Sequence, residues 1–353
     1  MFPLHGCTDQ ELKQAVLTLG EKPFRAAQII KWVYEKGETS FEKMTDLNKG
    51  TRDLFSKHFL LNSLTYVKQE DSSDSETTKF LWQLADERLV ESVLIRSQDR
   101  RTVCVSSQVG CPARCAFCAS GKKGLIRNLS VEEIVEQVYL IDRQLKKIGE
   151  RVSHVVYMGM GEPFENYEAV VKSIRLLCAE GRLNLSQRRI TVSTVGVIEG
   201  INKLADDELN VSLVLSLHAP NQRIRQKIIP YARKYALEDI LEAMTDFARK
   251  TKRDITYEYT LMAGINDEVE HAEELAKLVK GQQCTVNLIP YNPVPGLVLK
   301  RPEKAVIEAF REVLINEGIN TTWRYTKGKD IAAACGQLAL QEKENSQLLN
   351  IGS

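Results

Sequence analysis

The sequence has little of what marks membrane, secreted or strongly charged proteins. No apolar run approaches the ~20 residues that a helix needs to cross a bilayer. The N-terminus, from Met1 to His5, turns polar at once and lacks the apolar core of a signal peptide. Lysine and arginine number 48 against 47 acidic residues, a net charge of +1, which gives no indication of nucleic-acid binding. We therefore expect a cytoplasmic protein without membrane association.

Histidine is scarce, whereas cysteine is not. The chain has five histidines and eight cysteines. In an intracellular protein this many cysteines indicate metal binding or catalysis before structural disulfides. Cys7, Cys178 and Cys284 belong to no motif, and we interpret them as incidental.

Three of the cysteines, Cys111, Cys115 and Cys118, form a C-x3-C-x2-C pattern after an apolar segment typical of a strand. Cysteine thiolates select zinc or iron–sulfur clusters. A structural zinc site needs four protein ligands, but no histidine lies nearby and no second C-x2-C motif occurs. Three ligands fit a [4Fe–4S] cluster with one iron open to a small molecule. The alternatives are a zinc site completed by Cys104 and a chance grouping.

Hydrophobic patterning divides the chain into four parts. Residues 1–60 read as a helical accessory domain that begins with a capping box at Thr8 to Glu11. Residues 61–100 form a connecting β-hairpin region, and residues 339–353 a polar tail that we expect to be mobile. In residues 101–338 strands alternate with helices, which favours a parallel sheet with crossover helices. The predicted strands are 102–107, 152–158, 189–194, 211–217, 255–262, 284–289 and 321–326, and the predicted helices are 130–148, 165–180, 197–206, 236–251, 268–281 and 302–317.

Further motifs surround the cysteine triplet, and together they resemble one family. They are Ser106-Ser107-Gln108-Val109-Gly110, Met158-Gly159-Met160-Gly161-Glu162-Pro163, Ser216-Leu217-His218-Ala219-Pro220 and Ala334-Cys335-Gly336-Gln337-Leu338. With the triplet they resemble the RlmN family of radical S-adenosylmethionine (SAM) adenine-C2 RNA methyltransferases, from about Phe24 to Leu338. The six or so strand–helix repeats are too few for a closed eight-fold barrel. The resemblance implies an α/β fold, a partial, open TIM-type barrel of radical SAM type with an N-terminal helical accessory domain.

The resemblance also implies the cofactors and their ligands. Cys111, Cys115 and Cys118 would hold a [4Fe–4S] cluster, and SAM would bind the open iron, two SAM molecules being used per turnover. Glycines at a strand end let a ligand approach the backbone closely. The SAM contacts implied by the family motifs are Gly161, Glu162, Ser193, Ser216, Leu217, His218 and Asn292. On sequence alone the alternative interpretation of His218 is a hydrogen-bonded core histidine.

Two further cysteines and a carboxylate are assigned catalytic roles by the resemblance. Cys335 would take a methyl group from one SAM, and the second SAM would activate that S-methyl group for addition to adenine C2. Cys104 would then resolve the protein–RNA crosslink by forming a disulfide with Cys335. Glu91 matches the proposed proton acceptor, although a surface carboxylate on a hairpin is the alternative interpretation.

By resemblance the substrates are an adenosine of 23S rRNA and the adenosine 3′ of the anticodon in some tRNAs, and the electron donor is a flavodoxin or ferredoxin. We expect a monomer. Basic residues that could contact phosphate follow the cluster and the later motifs. They are Lys122, Lys123, Arg127, Arg188, Arg189, Arg223, Arg225, Lys227, Arg233 and Lys234.

The sequence departs from the family pattern at two places. Ala332 stands where an aspartate is usual, and Tyr231-Ala232 replaces an apolar residue followed by asparagine. The closest alternative function is that of the sister adenine-C8 methyltransferases, but Pro163 and the segment Ile289 to Pro293 look like the C2 enzymes. A non-catalytic iron–sulfur or zinc RNA-binding protein is a further alternative, and it would need neither Cys104 nor Cys335.

Overall fold

The computed structural model describes residues 1–324 and 327–338. The predicted polar tail at 339–353 lies outside the described residues, as do the last two residues of the strand predicted at 321–326. Among the helices of the described part, none has the length and apolarity that a bilayer crossing requires.

The N-terminal segment forms a small helical unit. Its helices are α1 (Asp9–Thr18), α2 (Phe24–Ile30) and α3 (Lys49–His58), and a π-helical turn, Lys31–Glu35, extends α2. The predicted capping box at Thr8 and Glu11 is present. Two short strands, β1 (Phe2–Pro3) and β2 (Phe59–Leu60), pair in parallel and bring the two ends of the unit together.

A buried arginine joins this unit to the rest of the chain. The Arg182 side chain is fully buried, and its guanidinium donates to the Tyr34 hydroxyl (3.2 Å), the Cys7 carbonyl (2.7 Å) and the Asp9 carboxylate (3.0 Å). Tyr34 in turn lies 2.7 Å from Nδ1 of buried His5. Because the Cys7 carbonyl and the Tyr34 hydroxyl belong to buried residues, the hydrogen bonds from the arginine hold the unit against the α/β domain.

We expect Arg182→Met to destabilise the protein by about 2–3 kcal/mol, because the Cys7 carbonyl and the Tyr34 hydroxyl would lose a buried partner. Arg175→Met is the matched control. Arg175 pairs with Asp207, but 55% of its side chain is exposed, so its loss should cost less than about 1 kcal/mol. Urea unfolding followed by tryptophan fluorescence measures both values, and equal losses would contradict the role given to Arg182.

One large sheet dominates the remainder of the chain. Its order is β3-β4-β5-β6-β9-β10-β11-β12-β13-β14. The strands from β6 onward are parallel, whereas β3, β4, β5 and β6 pair antiparallel with one another. The bounds are β3 (Thr65–Asp71), β4 (Thr77–Gln83), β5 (Leu89–Ser97), β6 (Arg100–Cys104), β9 (His154–Tyr157), β10 (Ile190–Thr194), β11 (Ser212–Ser216), β12 (Ile255–Leu261), β13 (Cys284–Pro290) and β14 (Asn320–Trp323). A separate hairpin consists of β7 (Gln108–Gly110) and β8 (Leu125–Asn128).

The connecting helices follow the predicted rhythm with one addition. They are α4 (Val131–Lys146), α5 (Tyr167–Cys178), α6 (Ile198–Asp206), α7 (Gln222–Ile228), α8 (Leu237–Thr251), α9 (Val269–Val279) and α10 (Lys304–Asn316). The short α7 was not predicted. The seven parallel strands form an open sheet, which confirms the predicted partial α/β barrel. The connecting region at 61–100 continues the same sheet as its antiparallel edge.

Candidate active site

Most of the predicted site residues lie at the carboxyl ends of the parallel strands. Cys104 ends β6, Ser193 is next to the last residue of β10, and Ser216 ends β11. The Gly161-Glu162 turn follows β9, and Asn292 follows β13. Because carboxyl ends of parallel strands meet at one edge of a barrel, residues distant in sequence converge there.

The cysteine triplet begins where the β7–β8 hairpin opens. Gly110 has φ +77°, and a Cβ at this position would lie 2.0 Å from the Gly124 carbonyl oxygen. Only glycine fits so close to the opposing strand. The Cys111 amide donates to that same carbonyl at 3.1 Å, and the Cys118 amide donates to the Cys115 carbonyl at 3.1 Å. The hairpin therefore sets the path of the loop that carries the three thiols.

The surroundings of the three thiols disfavour their charged forms. Burial raises the pKa of Cys111 to about 12, and burial, then the charges of Cys118 and Cys111, raises the pKa of Cys115 well above its usual value. Thiolates in this loop thus need a cationic partner, which the irons of a [4Fe–4S] cluster bound by cysteine provide.

The Gly161-Glu162 turn is tied to the strand that precedes the cysteines. Gly161 has φ +113°, and a Cβ there would lie 2.6 Å from Oγ of Ser107. The Glu162 amide donates to Oε1 of Gln108 at 2.8 Å. Its buried carboxylate accepts from the amides of Val195 (2.8 Å) and Phe164 (3.1 Å). Burial raises the pKa of Glu162 to about 7, while these amides act in the opposite direction.

Polar groups of the next two strand ends lie together. The hydroxyls of Ser193 and Ser216 are 3.2 Å apart. His218 is buried, with Nδ1 accepting from the Thr260 amide at 3.0 Å and its ring packed edge-on against Phe117 at 4.8 Å. Thus His218 is a hydrogen-bonded core histidine that also contacts the cysteine loop. Leu217, another predicted SAM contact, is fully buried beside it.

We expect His218 to make the protein less stable as the pH falls. Burial lowers the pKa of its imidazole from 6.5 to about 3. Between these values the unfolded chain binds a proton that the folded chain does not, so stability decreases from pH 6.5 downward. Between pH 7.5 and 5.5 wild type should lose about 1.4 kcal/mol more than His218→Gln. Urea unfolding at the two pH values tests this; identical losses would mean that His218 is protonated in the folded protein.

The segment that carries Cys335 lies against the cysteine loop. The Ala119 amide donates to the Gly336 carbonyl at 2.8 Å, and the Ser120 hydroxyl donates to the Leu338 carbonyl. Asn292, a predicted SAM contact, donates to the Cys335 carbonyl at 3.2 Å. At the other end of the segment, Asp330 accepts from the Ser73 amide in the β3–β4 turn at 2.7 Å. The segment is therefore fastened to both sides of the open barrel.

Cys104, Cys118 and Cys335 line one cavity with Arg324. Burial, then the negative charge of Cys335, raises the pKa of Cys104 to about 12. Cys335 as a residue is exposed, but burial of its thiol raises the pKa of Cys335, and the Arg324 guanidinium opposes that rise. All eight cysteines are unbonded in the structure, so no disulfide between Cys104 and Cys335 is observed. The cavity nevertheless brings together two thiols that are 231 positions apart in the chain.

Glu91 is not a surface carboxylate on a hairpin. Only 3% of it is exposed, and its Oε1 lies 3.6 Å from Nζ of buried Lys79, which also pairs with Glu70 at 3.0 Å. The Glu91 carbonyl accepts from Ser106, just before the cysteine loop, at 2.6 Å. The Glu91 main chain is thus tied to the segment that leads into the cysteine loop, and its carboxylate is paired with Lys79.

The predicted basic residues do not all lie on one exposed surface. Arg225 is fully buried, so its assignment as an RNA contact was wrong. Arg127 pairs with Asp86 and Glu133. Arg188 and Arg189 precede β10, at the end of the strand opposite to Ser193, and so face away from the site. The other predicted cations are exposed: Lys122, Lys123, Arg223, Lys227, Arg233 and Lys234.

The two departures from the family pattern have local consequences. Ala332 adopts φ +50°, the left-handed region, which aspartate and asparagine tolerate better than alanine. The Tyr231 hydroxyl donates to the Glu165 carboxylate, and Ala232 is buried in a small apolar cluster with Phe117 and Met262. Neither departure affects a residue to which the resemblance assigns a catalytic, cluster-binding or SAM-binding role.

Comparison with known proteins gives concordant matches. Residues 105–278 match the Radical SAM superfamily, and residues 2–61 match the ribosomal RNA large subunit methyltransferase N-terminal domain. A probable dual-specificity RNA methyltransferase RlmN 2 from Protochlamydia amoebophila is 63% identical over 95% of this chain and 94% of that protein. A probable RlmN from Lysinibacillus sphaericus is 48% identical over 92% of this chain and 85% of that protein. The crystal structure of a radical SAM methyltransferase from Sphaerobacter thermophilus has 41% identity and a TM-score of 0.93, over 96% of this chain and 99% of that one.

Proposed function

The chain belongs to the RlmN family of radical SAM RNA methyltransferases, and we propose that it methylates C2 of adenine in RNA. Its substrates in this proposal are one adenosine of 23S rRNA and the adenosine 3′ of the anticodon in some tRNAs. The observation that carries the proposal is the cavity in which Cys104 and Cys335 meet Cys118. A simple RNA-binding protein has no use for two more thiols beside a cofactor loop.

Each group in the site has a task in this proposal. Cys111, Cys115 and Cys118 would hold a [4Fe–4S] cluster, which would supply the single electron for the cleavage of SAM. The Glu162 carboxylate accepts a hydrogen bond from the ammonium group of SAM. The side chains of Ser193, Ser216 and Asn292 bind the other polar groups of SAM. Gly161 lets the turn that carries Glu162 pack directly against Ser107, since a Cβ there would lie 2.6 Å from the Ser107 hydroxyl. Leu217 and His218 close the wall behind SAM.

The two remaining cysteines carry the methyl group and release the product. The Cys335 thiolate attacks the methyl carbon of a first SAM, which breaks the methyl–sulfonium bond and releases S-adenosylhomocysteine. The 5′-deoxyadenosyl radical from a second SAM takes a hydrogen atom from the S-methyl group, and the resulting CH2 carbon bonds to C2 of adenine; the adduct loses one electron, which the oxidised cluster would take back. Glu91 accepts the C2 proton. The Cys104 thiolate then attacks the Cys335 sulfur, the bond between that sulfur and the CH2 carbon breaks, and the carbon takes up a proton to become the methyl group as the Cys104–Cys335 disulfide forms.

We propose that the protein works as a monomer in the cytoplasm, where its RNA substrates are, and that a flavodoxin or ferredoxin supplies the electrons. The best-supported alternative product is 8-methyladenosine, because the sister C8 enzymes share the cysteine pattern. Pro163 and the Ile289 to Pro293 segment favour C2.

The decisive experiment is nucleoside mass spectrometry of unmodified 23S rRNA after anaerobic reaction with the reconstituted protein, SAM and dithionite. The expected product is 2-methyladenosine. 8-Methyladenosine would replace the proposed position with that of the sister enzymes. SAM cleavage without a methylated nucleoside would leave the cofactor assignment intact and refute the proposed RNA substrate.

A further inference from the structure

Arg225 is the most deeply buried cation near the cysteine loop, and the proposed reaction assigns no role to it. Arg225 lies on α7 and has no exposed surface. Its Nε donates to the Leu217 carbonyl at 3.1 Å, and its Nη2 donates to the carbonyls of Val195 (2.6 Å) and Ser216 (3.2 Å). These acceptors belong to the chain at the carboxyl ends of β10 and β11, so the guanidinium is anchored at the edge where the site lies.

These hydrogen bonds do not involve the third guanidinium nitrogen, Nη1. Nη1 of Arg225 is buried and has no hydrogen-bond partner among residues 1–324 and 327–338. A buried donor without a partner destabilises the folded protein, so its presence calls for an explanation.

The helix that carries Arg225 packs against the cysteine loop. The Ala116 amide, in the middle of the loop, donates to the Ile228 carbonyl on α7 at 2.8 Å. Phe117 packs in one apolar cluster with Ile224 and Ile228, and Cys115 lies against that cluster. Cys115 is also the ionisable group whose negative charge acts on Arg225. Helix α7 and the loop therefore form one packed unit, with the guanidinium on the Cys115 side.

We propose that Arg225 is a positioning residue for the iron–sulfur cofactor, in which Nη1 donates a hydrogen bond to a sulfur on the Cys115 side and the positive charge favours the reduced cluster. Hydrogen bonds to cluster sulfurs and net charge are two determinants of a cluster's reduction potential. Reduction transfers one electron from the donor to [4Fe–4S]²⁺ and gives [4Fe–4S]⁺. A cation next to the cluster stabilises this more negative product, and burial strengthens the attraction because water cannot screen it.

The carboxylate of SAM is the other anion that could meet this cation. Burial argues for the cluster sulfur, since SAM must enter through open space and Arg225 has no exposed surface. The two possibilities differ in their dependence on SAM. A contact with a cluster sulfur exists without SAM, whereas a contact with its carboxylate does not.

The direct test requires no substitution. Protein labelled with ¹⁵N-arginine is reconstituted anaerobically with iron and sulfide, reduced with dithionite, and examined by pulsed electron paramagnetic resonance without SAM or RNA. We expect a ¹⁵N hyperfine coupling to the cluster that disappears in Arg225→Lys. A spectrum without the coupling in wild type would overturn the proposal, and so would a coupling that appears only when SAM is added.

The second test measures the potential. At a fixed solution potential, the ratio of reduced to oxidised cluster should fall at least tenfold in Arg225→Gln, which corresponds to 59 mV or more for one electron. Arg225→Lys keeps the charge and should recover most of that loss. Arg223→Gln, an exposed neighbour on the same helix, should equal wild type. An Arg225→Gln protein with full iron content and an unchanged ratio would overturn the proposal.

Both tests are made without RNA. A wrong assignment of adenine C2 would therefore leave their outcome unaffected, and a negative outcome would leave the proposed substrate untouched.

Discussion

Cys335→Ala should lower RNA methylation at least about 1000-fold, because the variant has no sulfur to carry the methyl group. Adenine C2 is not nucleophilic, so direct transfer from SAM offers no substitute for the carrier. The initial rate of 2-methyladenosine formation, measured by nucleoside mass spectrometry with dithionite as reductant, gives the size of the loss.

The same substitution should leave the fold and the cofactor in place. Cys335 is exposed, so its truncation should change the free energy of unfolding by no more than about 0.5 kcal/mol. The contacts that fasten its segment, between Ala119 and Gly336 and between Asn292 and Cys335, go to backbone carbonyls that alanine also has. We therefore expect four irons per chain in the variant, as in wild type.

Cys178→Ala is the matched control. Cys178 is half-buried at the end of α5, outside the cavity that Cys335 lines, and its variant should methylate RNA at the wild-type rate. If Cys335→Ala retained more than a tenth of wild-type activity, the methyl-carrier role would have to be abandoned.

The sequence was most informative where chemistry depends on local spacing. The triplet of Cys111, Cys115 and Cys118 needs no tertiary contact to be recognised, and a capping box such as Ser130 with Glu133 is contained in four residues. Helix periodicity and strand–helix alternation similarly predicted the parallel sheet. In each case the signal lies within one element or one loop, so the rest of the fold does not alter it.

Predictions that depend on burial were less successful, because burial is a property of the whole fold. Arg225 and its neighbour Arg223 look alike in sequence, yet one is fully buried and the other exposed. A clue was available, since Arg225 lies one residue after Ile224 and three before Ile228, on a helix too short to predict from periodicity. Lys79, between Glu70 and Glu91, was missed because cross-strand pairs depend on register.

Cys104→Ala should stop the reaction one step later than Cys335→Ala. The methyl carbon would still reach the RNA, but no thiol would be present to release it from Cys335. We expect a covalent protein–RNA adduct that persists on a denaturing gel, at close to one RNA per active chain, and less than about 1% of the wild-type yield of 2-methyladenosine after many turnovers.

The control for this variant is Cys284→Ala. Cys284 is the first residue of β13, whereas Cys104 is the last residue of β6, so the two thiols belong to opposite ends of the barrel strands. The control should turn over normally and form no lasting adduct. If Cys104→Ala released methylated RNA at the wild-type rate, another group would have to resolve the crosslink.

The environments of the two thiols explain why they do not exchange roles. Cys335 is the exposed residue of the pair, and although burial of its thiol raises its pKa, the Arg324 guanidinium opposes that rise, whereas burial and then the Cys335 charge raise the pKa of Cys104 to about 12. Cys335 is therefore the better suited of the two to meet the first SAM. Once the Cys335 sulfur is alkylated it carries no negative charge, and one of the causes that raise the pKa of Cys104 disappears. Cys104 thus becomes a better nucleophile only after the crosslink has formed, when its attack releases the product.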